Sequence, residues 1–132
     1  MELKKWKCLK SEEGPDLRLF KARLDFMENP RNGWKASRVV LNSKDAVNVV
    51  AVVDQVHIVF VRQFRFGTQS FTLEIPGGLI DEGEEPKDAG IRELREETGF
   101  IAETMIPLGK IASNPVYMDA YVFHYQTTCS AV

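Results

Sequence analysis

An α/β fold is predicted for this chain, and three observations predict it. Runs of alternating or β-branched residues recur along its length, one segment carries helix start and stop signals, and no repeat, low-complexity tract or linker interrupts them. At 132 residues the chain makes one domain, 1–132, with a real core and no room for a second. Hydrophobic residues at 44% and charged residues at 27% exclude the polarity of a disordered segment, and no apolar run reaches membrane-spanning length.

The opening stretch, MELKKWKCLKSEE, is basic but has no apolar segment behind it and no small-residue cleavage site, which argues against a secretory signal. Alternation in Leu17–Met27 and β-branched content in Trp34–Asn42 predict two antiparallel strands joined by a turn at NPRNG. AVNVVAVVD and VHIVFVRQF follow, parted only around Asp54 and Gln55. Val49–Val53 is apolar on both faces, the mark of a central, covered strand. Phe71–Pro76 (FTLEIP) is another strand, ended by Pro76-Gly77-Gly78, and MIPLGKIAS and AYVFHYQTT supply two more.

One segment departs from the strand pattern. Pro86 suits the first turn of a helix, Glu84, Glu85 and Asp88 suit its positive end, and Gly99 is a natural stop, so a helix is predicted over Pro86 to Thr98. At about 100° per residue, Glu93, Glu96 and Glu97 share one arc, Gly90, Ile91 and Leu94 the next, and Arg92 and Arg95 the remainder. From Asp81 to Glu97 the chain places eight carboxylates against three basic residues. Such a face is often only solvated, and like charges three or four residues apart cost about 0.2–0.5 kcal/mol each, which is tolerable. The adjacent Gly77-Gly78, however, exposes backbone carbonyls beside it. Several carboxylates and a carbonyl make an all-oxygen site of the kind Mg²⁺ or Mn²⁺ prefers.

A net charge of −2 leaves no footprint for nucleic acid, although the halves differ: residues 1–45 carry eleven Lys/Arg against seven Asp/Glu, and residues 46–132 six against twelve. Cys8 and Cys129 lie near opposite ends without CxxC spacing and read as reduced thiols of a cytoplasmic protein. His57 and His124 have no metal-ligand partner at useful spacing and read as core or surface histidines. Trp6 and Trp34 read as packing residues, with stacking on a nucleobase as the alternative.

Gly78, five residues, Glu84, seven residues, then Arg92-Glu93-Leu94-Arg95-Glu96-Glu97-Thr98-Gly99-Phe100 matches the Nudix box, G-x5-E-x7-R-E-U-x-E-E-x-G-U, at every specified position. The sequence therefore resembles a Nudix hydrolase. The resemblance implies an α/β/α sandwich with a mixed sheet over 46–132, preceded by an antiparallel β-element over 1–45. It implies divalent metal, Mg²⁺ or Mn²⁺, at Glu93, Glu96 and Glu97, with the Gly77 carbonyl as a further ligand and with Glu84 and Gly78 in accessory or structural positions. Glu97, Glu96 and Arg92 are expected to carry catalysis, Arg92 by orienting the glutamates. The implied reaction is hydrolysis of the pyrophosphate bond of a nucleoside diphosphate linked to a moiety X, giving a nucleoside monophosphate and X-phosphate.

VRQFRFG followed by LEIPGG, and Pro115 in SNPVYMD, resemble the ADP-ribose and nucleoside diphosphate sugar branch of that family. By that resemblance Arg65 and Arg62 contact the pyrophosphate, Glu74 helps metal or substrate, and Pro115 and Tyr117 line the pocket for a small-molecule nucleotide. A homodimer is expected. The branch usually continues past the strand at AYVFHYQTT into a catalytic loop and a closing helix, whereas here the only acid after Glu103 is Asp119. The expectation is thus a core without the C-terminal helix, whose base is Glu97, Glu96 or Asp119, or a shortened form with impaired catalysis. Two other functions fit the same residues: a Nudix-fold module that binds a nucleotide without hydrolysing it, and a hydrolase of nucleoside triphosphates or dinucleoside polyphosphates.

Overall fold

The computed structural model describes residues 2–130. The chain divides into two compact units, Met1–Lys44 with Ala112–Ala120, and Asp45–Ile111 with Tyr121–Val132.

The first unit is a three-stranded antiparallel sheet, β1 (Lys7–Asp16), β2 (Phe20–Glu28) and β3 (Lys35–Ser43), in that spatial order. The turn between β2 and β3 is closed by Asn29 N–H to Trp34 O at 2.8 Å, and Gly33, at φ 72°, supplies the left-handed residue it needs. β1 has no counterpart among the strands read from sequence. Of its ten residues only Gly14 is even half-buried, so it shows no alternation to read, and its Lys and Glu side chains are typical of a guarded edge. Residues 112–120 join this unit as a loop: Leu41 N–H donates to Tyr117 O at 2.7 Å, and Asp119 accepts from Ser43 N–H at 3.0 Å and from the Asn42 amide.

The second unit holds β4 (Ala46–Val53), β5 (His57–Ile58), β6 (Val61–Arg65), β7 (Ser70–Glu74), β8 (Gly77–Leu79), α1 (Pro86–Thr98), β9 (Ile101–Ala102), β10 (Ile106–Ala112) and β11 (Tyr121–Ser130). Its main sheet runs β10-β11-β4-β5, with β8 also on β4 and β9 on β11. β11 is parallel to β4 while β5 and β8 are antiparallel to it, so the sheet is mixed and β4 is central. The class is α/β as expected, and α1 is the single helix among the described residues.

The run VHIVFVRQF, expected as one strand, splits into β5 and β6. β5 turns back on β4 through Asp54 and Gln55, both left-handed (φ 53° and 63°), and β6 leaves to pair only with β7. β8 was expected to be a strand stop. Its glycines instead pair with β4 because they have no side chain: a Cβ on Gly77 would stand 2.9 Å from Asn48 Cα.

α1 follows its sequence signals. Pro86 fills the first turn, and Gly99 closes the helix at φ 79° with its N–H on Arg95 O at 2.9 Å. Its buried stripe is Ala89, Gly90 and Leu94, with Ile91 only half-buried, so the inward face is turned slightly from the expected one. That stripe packs on Val47, Val49 and Ala51 of β4, all buried. Gly90 sets the distance, since a Cβ there would meet Val49 Cγ2 at 3.2 Å and Val47 Cγ2 at 3.3 Å.

Candidate active site

The carboxylate face of α1 lies against β8. Antiparallel register pairs Gly78 with Val47 and Gly77 with Asn48, which turns the empty Cβ position of Gly78 toward the helix. A side chain there would stand 2.5 and 2.7 Å from the two Glu93 oxygens, so Gly78 is the space Glu93 occupies. Beside it, Gly77 N–H donates to Glu97 Oε2 at 3.3 Å. The helix thus delivers Glu93 and Glu97 to two successive residues of one strand.

Arg92 organises the rest. Its Nε and one terminal nitrogen grip the two Glu84 oxygens at 2.9 Å each; the other nitrogen reaches Glu93 at 2.8 Å and Glu96 at 3.2 Å. It also donates to Leu79 O at 3.2 Å and lies 3.6 Å from Asp81. This forked, charge-assisted geometry is one that lysine cannot reproduce. Arg92 lowers the Glu84 pKa to about 2, helped by the Asp81 N–H, and the same pairing raises its own. The helical wheel set Arg92 with Arg95 on a separate basic face; its long side chain instead folds across the carboxylates.

Glu97 sits in different surroundings. Among the described residues it makes no ion pair, and burial raises its pKa, with the neighbouring Glu93 charge acting in the same direction. Gly77 N–H, the Gln63 amide and the Arg65 charge oppose that rise.

Gln63 and Arg65 belong to the β6–β7 hairpin, whose register makes two faces. Val61, Gln63, Arg65, Thr72 and Glu74 share one face; Arg62, Phe64, Phe71 and Leu73 share the other. On the polar face Arg65 clasps Glu74 with two hydrogen bonds of 2.7 and 2.9 Å, and Thr72 donates to the same carboxylate. These partners, Arg65 first, lower the Glu74 pKa to about 2. Arg65 and Glu74 line a cavity of about 530 Å³ together with Ala46, Asn48, Gly77, Leu79 and Val122.

The residues expected to form the site are therefore only partly gathered. Glu84, Arg92, Glu93, Glu96, Glu97, Gly77 and Gly78 form one cluster, and Arg65 and Glu74 stand on the adjoining cavity wall. Arg62 is on the opposite hairpin face, beside Phe71 and Leu73. Pro115 and Tyr117 belong to the first unit. So does Asp119, which is occupied by Asn42, Ser43 and, at 3.8 Å, Arg23, so its role there is to tie the loop to β3. Trp6 and Trp34 pack edge to face with ring centres 6.1 Å apart.

Among the described residues no group of three or more Asp, Glu, His or Cys side chains converges closely enough to hold a metal ion. Arg92 draws Glu93 and Glu96 to itself instead. The chemistry of the donors nevertheless fits a hard divalent cation, because every atom offered is oxygen and Gly78 leaves the Glu93 carboxylate a cradle free of side chain.

A model of the NUDIX domain matches residues 42–130. The chain is 36% identical over 91 residues to the ADP-ribose pyrophosphatase of Bacillus subtilis (strain 168), covering 69% of this chain and 49% of that protein. It is 35% identical over 97 residues to the ADP compounds hydrolase NudE of Escherichia coli (strain K12), covering 74% and 50%. To the methanol dehydrogenase activator of Bacillus methanolicus it is 34% identical over 119 residues, covering 90% and 64%. The chain thus spans about half to just under two thirds of the length of these relatives. A crystal structure of an ADP compounds hydrolase superposes with a TM-score of 0.87 at 29% identity, covering 100% of this chain and 73% of that one.

Proposed function

Because the chain belongs to the NUDIX domain family, we propose that it is a divalent-metal-dependent hydrolase of the pyrophosphate bond in ADP-ribose or a related nucleoside diphosphate sugar, yielding a nucleoside monophosphate and a sugar phosphate. The observation that carries this reading is the Arg92-centred carboxylate cluster built against Gly77-Gly78, with Arg65 on the adjoining cavity wall. The printed activities of the Bacillus subtilis and Escherichia coli relatives support the substrate class.

Glu93, Glu96 and Glu97, with the Gly77 carbonyl, would hold Mg²⁺ or Mn²⁺, and Arg92, anchored on Glu84, positions the glutamates. When bound, the cation neutralises the pyrophosphate, makes water a stronger nucleophile and stabilises the departing phosphate. Arg65 exchanges its Glu74 partner for a phosphate oxygen, a swap that guanidinium geometry favours. Glu97, the carboxylate with the raised pKa, is placed to accept a proton from water. Arg62, Pro115 and Tyr117 have no role in this reading.

The protein acts as a cytoplasmic homodimer with no nucleic-acid or membrane partner. Its free cysteines, its net charge of −2 and the exposed apolar side chains Leu9, Leu24 and Val39 of the first unit support that picture. No described helix is long and apolar enough to cross a membrane.

Product analysis tests the reaction. With Mg²⁺ and ADP-ribose the expected products are AMP and ribose 5-phosphate, lost in Glu97→Gln. Ligand binding without a phosphate monoester product would make the chain a binding module. Release of inorganic pyrophosphate from a nucleoside triphosphate, with ADP-ribose untouched, would move it to the other substrate class.

A further inference from the structure

The cavity has a wall that the catalytic cluster does not use. Along β4, Val47, Val49 and Ala51 turn toward α1, so Ala46 and Asn48 turn to the opposite face. Parallel register sets Val122 of β11 beside Ala46 and His124 beside Asn48. There the His124 Nδ1 and Asn48 Oδ1 atoms are 2.5 Å apart. The stretches on either side, Val49–Val53 and Val122-Phe123, are apolar.

A polar pair on adjacent central strands loses water on folding and regains little beyond its own hydrogen bond. Packing alone is served as well by two apolar residues. What separates this pair from a merely satisfied one is location: Asn48 lines the same cavity as Arg65, Glu74 and Gly77. It also pairs across the ladder with Gly77, whose N–H meets Glu97.

Hydrogen-bond bookkeeping then fixes the orientation. With Oδ1 facing Nδ1, the contact is a hydrogen bond when His124 carries its proton on Nδ1 and donates to Asn48. With His124 in that tautomer, a flipped amide would set an N–H against an N–H. Asn48 therefore offers the cavity its Nδ2 hydrogens, as a fixed donor. A neutral amide is a weak rival to the Arg65 guanidinium for a phosphate oxygen, but it suits an uncharged acceptor beside the phosphates.

We infer that Asn48 is a specificity-determining residue that donates to a hydroxyl or ring oxygen of the sugar flanking the pyrophosphate, and that His124 is the positioning residue that holds its amide. The inference rests on the reaction proposed above and extends it to the recognition of X.

The test compares wild type, Asn48→Leu, His124→Phe and His124→Gln in steady-state hydrolysis of ADP-ribose, with inorganic pyrophosphate as a competing inhibitor that has no sugar. Asn48→Leu raises KM about tenfold, the scale of one lost hydrogen bond, with kcat within about twofold and the pyrophosphate inhibition constant unchanged. His124→Phe shifts KM in the same direction, and His124→Gln, which restores a side-chain donor, recovers most of the loss. Unchanged KM in both Asn48→Leu and His124→Phe overturns the inference, as does a pyrophosphate constant that rises in step with KM, which marks general damage to the cavity. Wild type that makes no AMP from ADP-ribose overturns the proposed reaction and this inference with it; active wild type with indifferent variants overturns this inference alone.

Discussion

Gly78→Ala puts the proposed role of Glu93 to a quantitative trial. The added Cβ would stand 2.5 Å from Glu93 Oε1 and 2.7 Å from Oε2, with Cδ nearer still, against about 3.4 Å for ordinary contact, so the carboxylate must retreat by about 1 Å. The obstacle is the far end of a flexible side chain, and Gly78 is not in the left-handed region, so the backbone accepts alanine. The structural cost is confined to the Arg92–Glu93 pair at 2.8 Å, because Arg92 keeps both bonds to Glu84. That cost is about 0.5–1 kcal/mol. A displacement approaching 1 Å in a group that orients reactants costs about 10²-fold in rate. The expected result is therefore a large fall in Mg²⁺-dependent turnover of ADP-ribose, measured as kcat over a Mg²⁺ titration, with the denaturant midpoint nearly unmoved. Gly67→Ala is the control, since nothing lies within 4 Å of its Cβ position. Turnover within twofold of wild type in Gly78→Ala would show that Glu93's position does not matter. A loss of several kcal/mol in stability would show that the glycine serves folding instead.

Three further outcomes follow from the packing. At Gly90, alanine gains about 1 kcal/mol of helix propensity against tight contacts with Met105, Val49 and Val47, so Gly90→Ala is close to neutral in chemical denaturation while Gly90→Leu loses about 1–3 kcal/mol. Asp25 is buried and accepts from Ser11 at 2.7 Å and Arg23 at 3.0 Å; Arg23 first, then Ser11, hold its carboxyl below the usual range. Asp25→Asn should cost about 2 kcal/mol at neutral pH. Because the folded pKa is the lower one, that stabilisation is complete above the unfolded carboxylate value of about 4. It fades as pH falls through the folded value, so the gap between the two proteins closes on acidification, and a gap constant down to the most acidic point would refute the pairing. Asp119→Ala should lower thermal stability by releasing Ser43 N–H and Asn42, yet leave the pH profile of ADP-ribose turnover unchanged; a lost acidic limb in that profile would make Asp119 the base after all.

Local features were legible in the sequence and features that depend on register were not. Pro86 and Gly99 bound α1 by backbone chemistry that acts within a few residues, so the helix could be placed to the residue. Val49–Val53 announced a central strand by being apolar throughout, although full burial is confined to the face of Val49 and Ala51, and Val50, Val52 and Val53 are half-buried rather than covered as expected. β1 escaped because an exposed edge strand is under no pressure to alternate, and β8 because glycines that permit close approach look like glycines that break a strand. The split of β5 from β6 escaped because a continuous apolar run does not say where the chain leaves its ladder. In the site, the Glu93, Glu96 and Glu97 face could be computed from helical periodicity, whereas the opposite faces of Arg62 and Arg65 required the hairpin pairing. Asn48 and His124 are 76 residues apart, and only the parallel register of β4 and β11 brings them together.

Six of the eight carboxylates crowded between Asp81 and Glu97 fall into three separate physical settings in the folded chain. Glu85 and Asp88 lie at the first turn of α1, where the helix dipole favours negative charge and no partner is needed. Glu84, Glu93 and Glu96 are gathered by one guanidinium, which replaces mutual repulsion with directed hydrogen bonds and holds Glu84 fully ionised. Glu97 belongs to neither group: it meets only the Gly77 N–H as a backbone partner, and burial raises its pKa. A surface evolved for solubility alone has no reason to treat neighbouring glutamates so differently, since exposed carboxylates are all solvated alike. Glu84, held charged by Arg92 just before the helix, and Glu97, raised by burial within it, are instead pushed in opposite directions, the pattern that the proposed metal and acid–base chemistry would use.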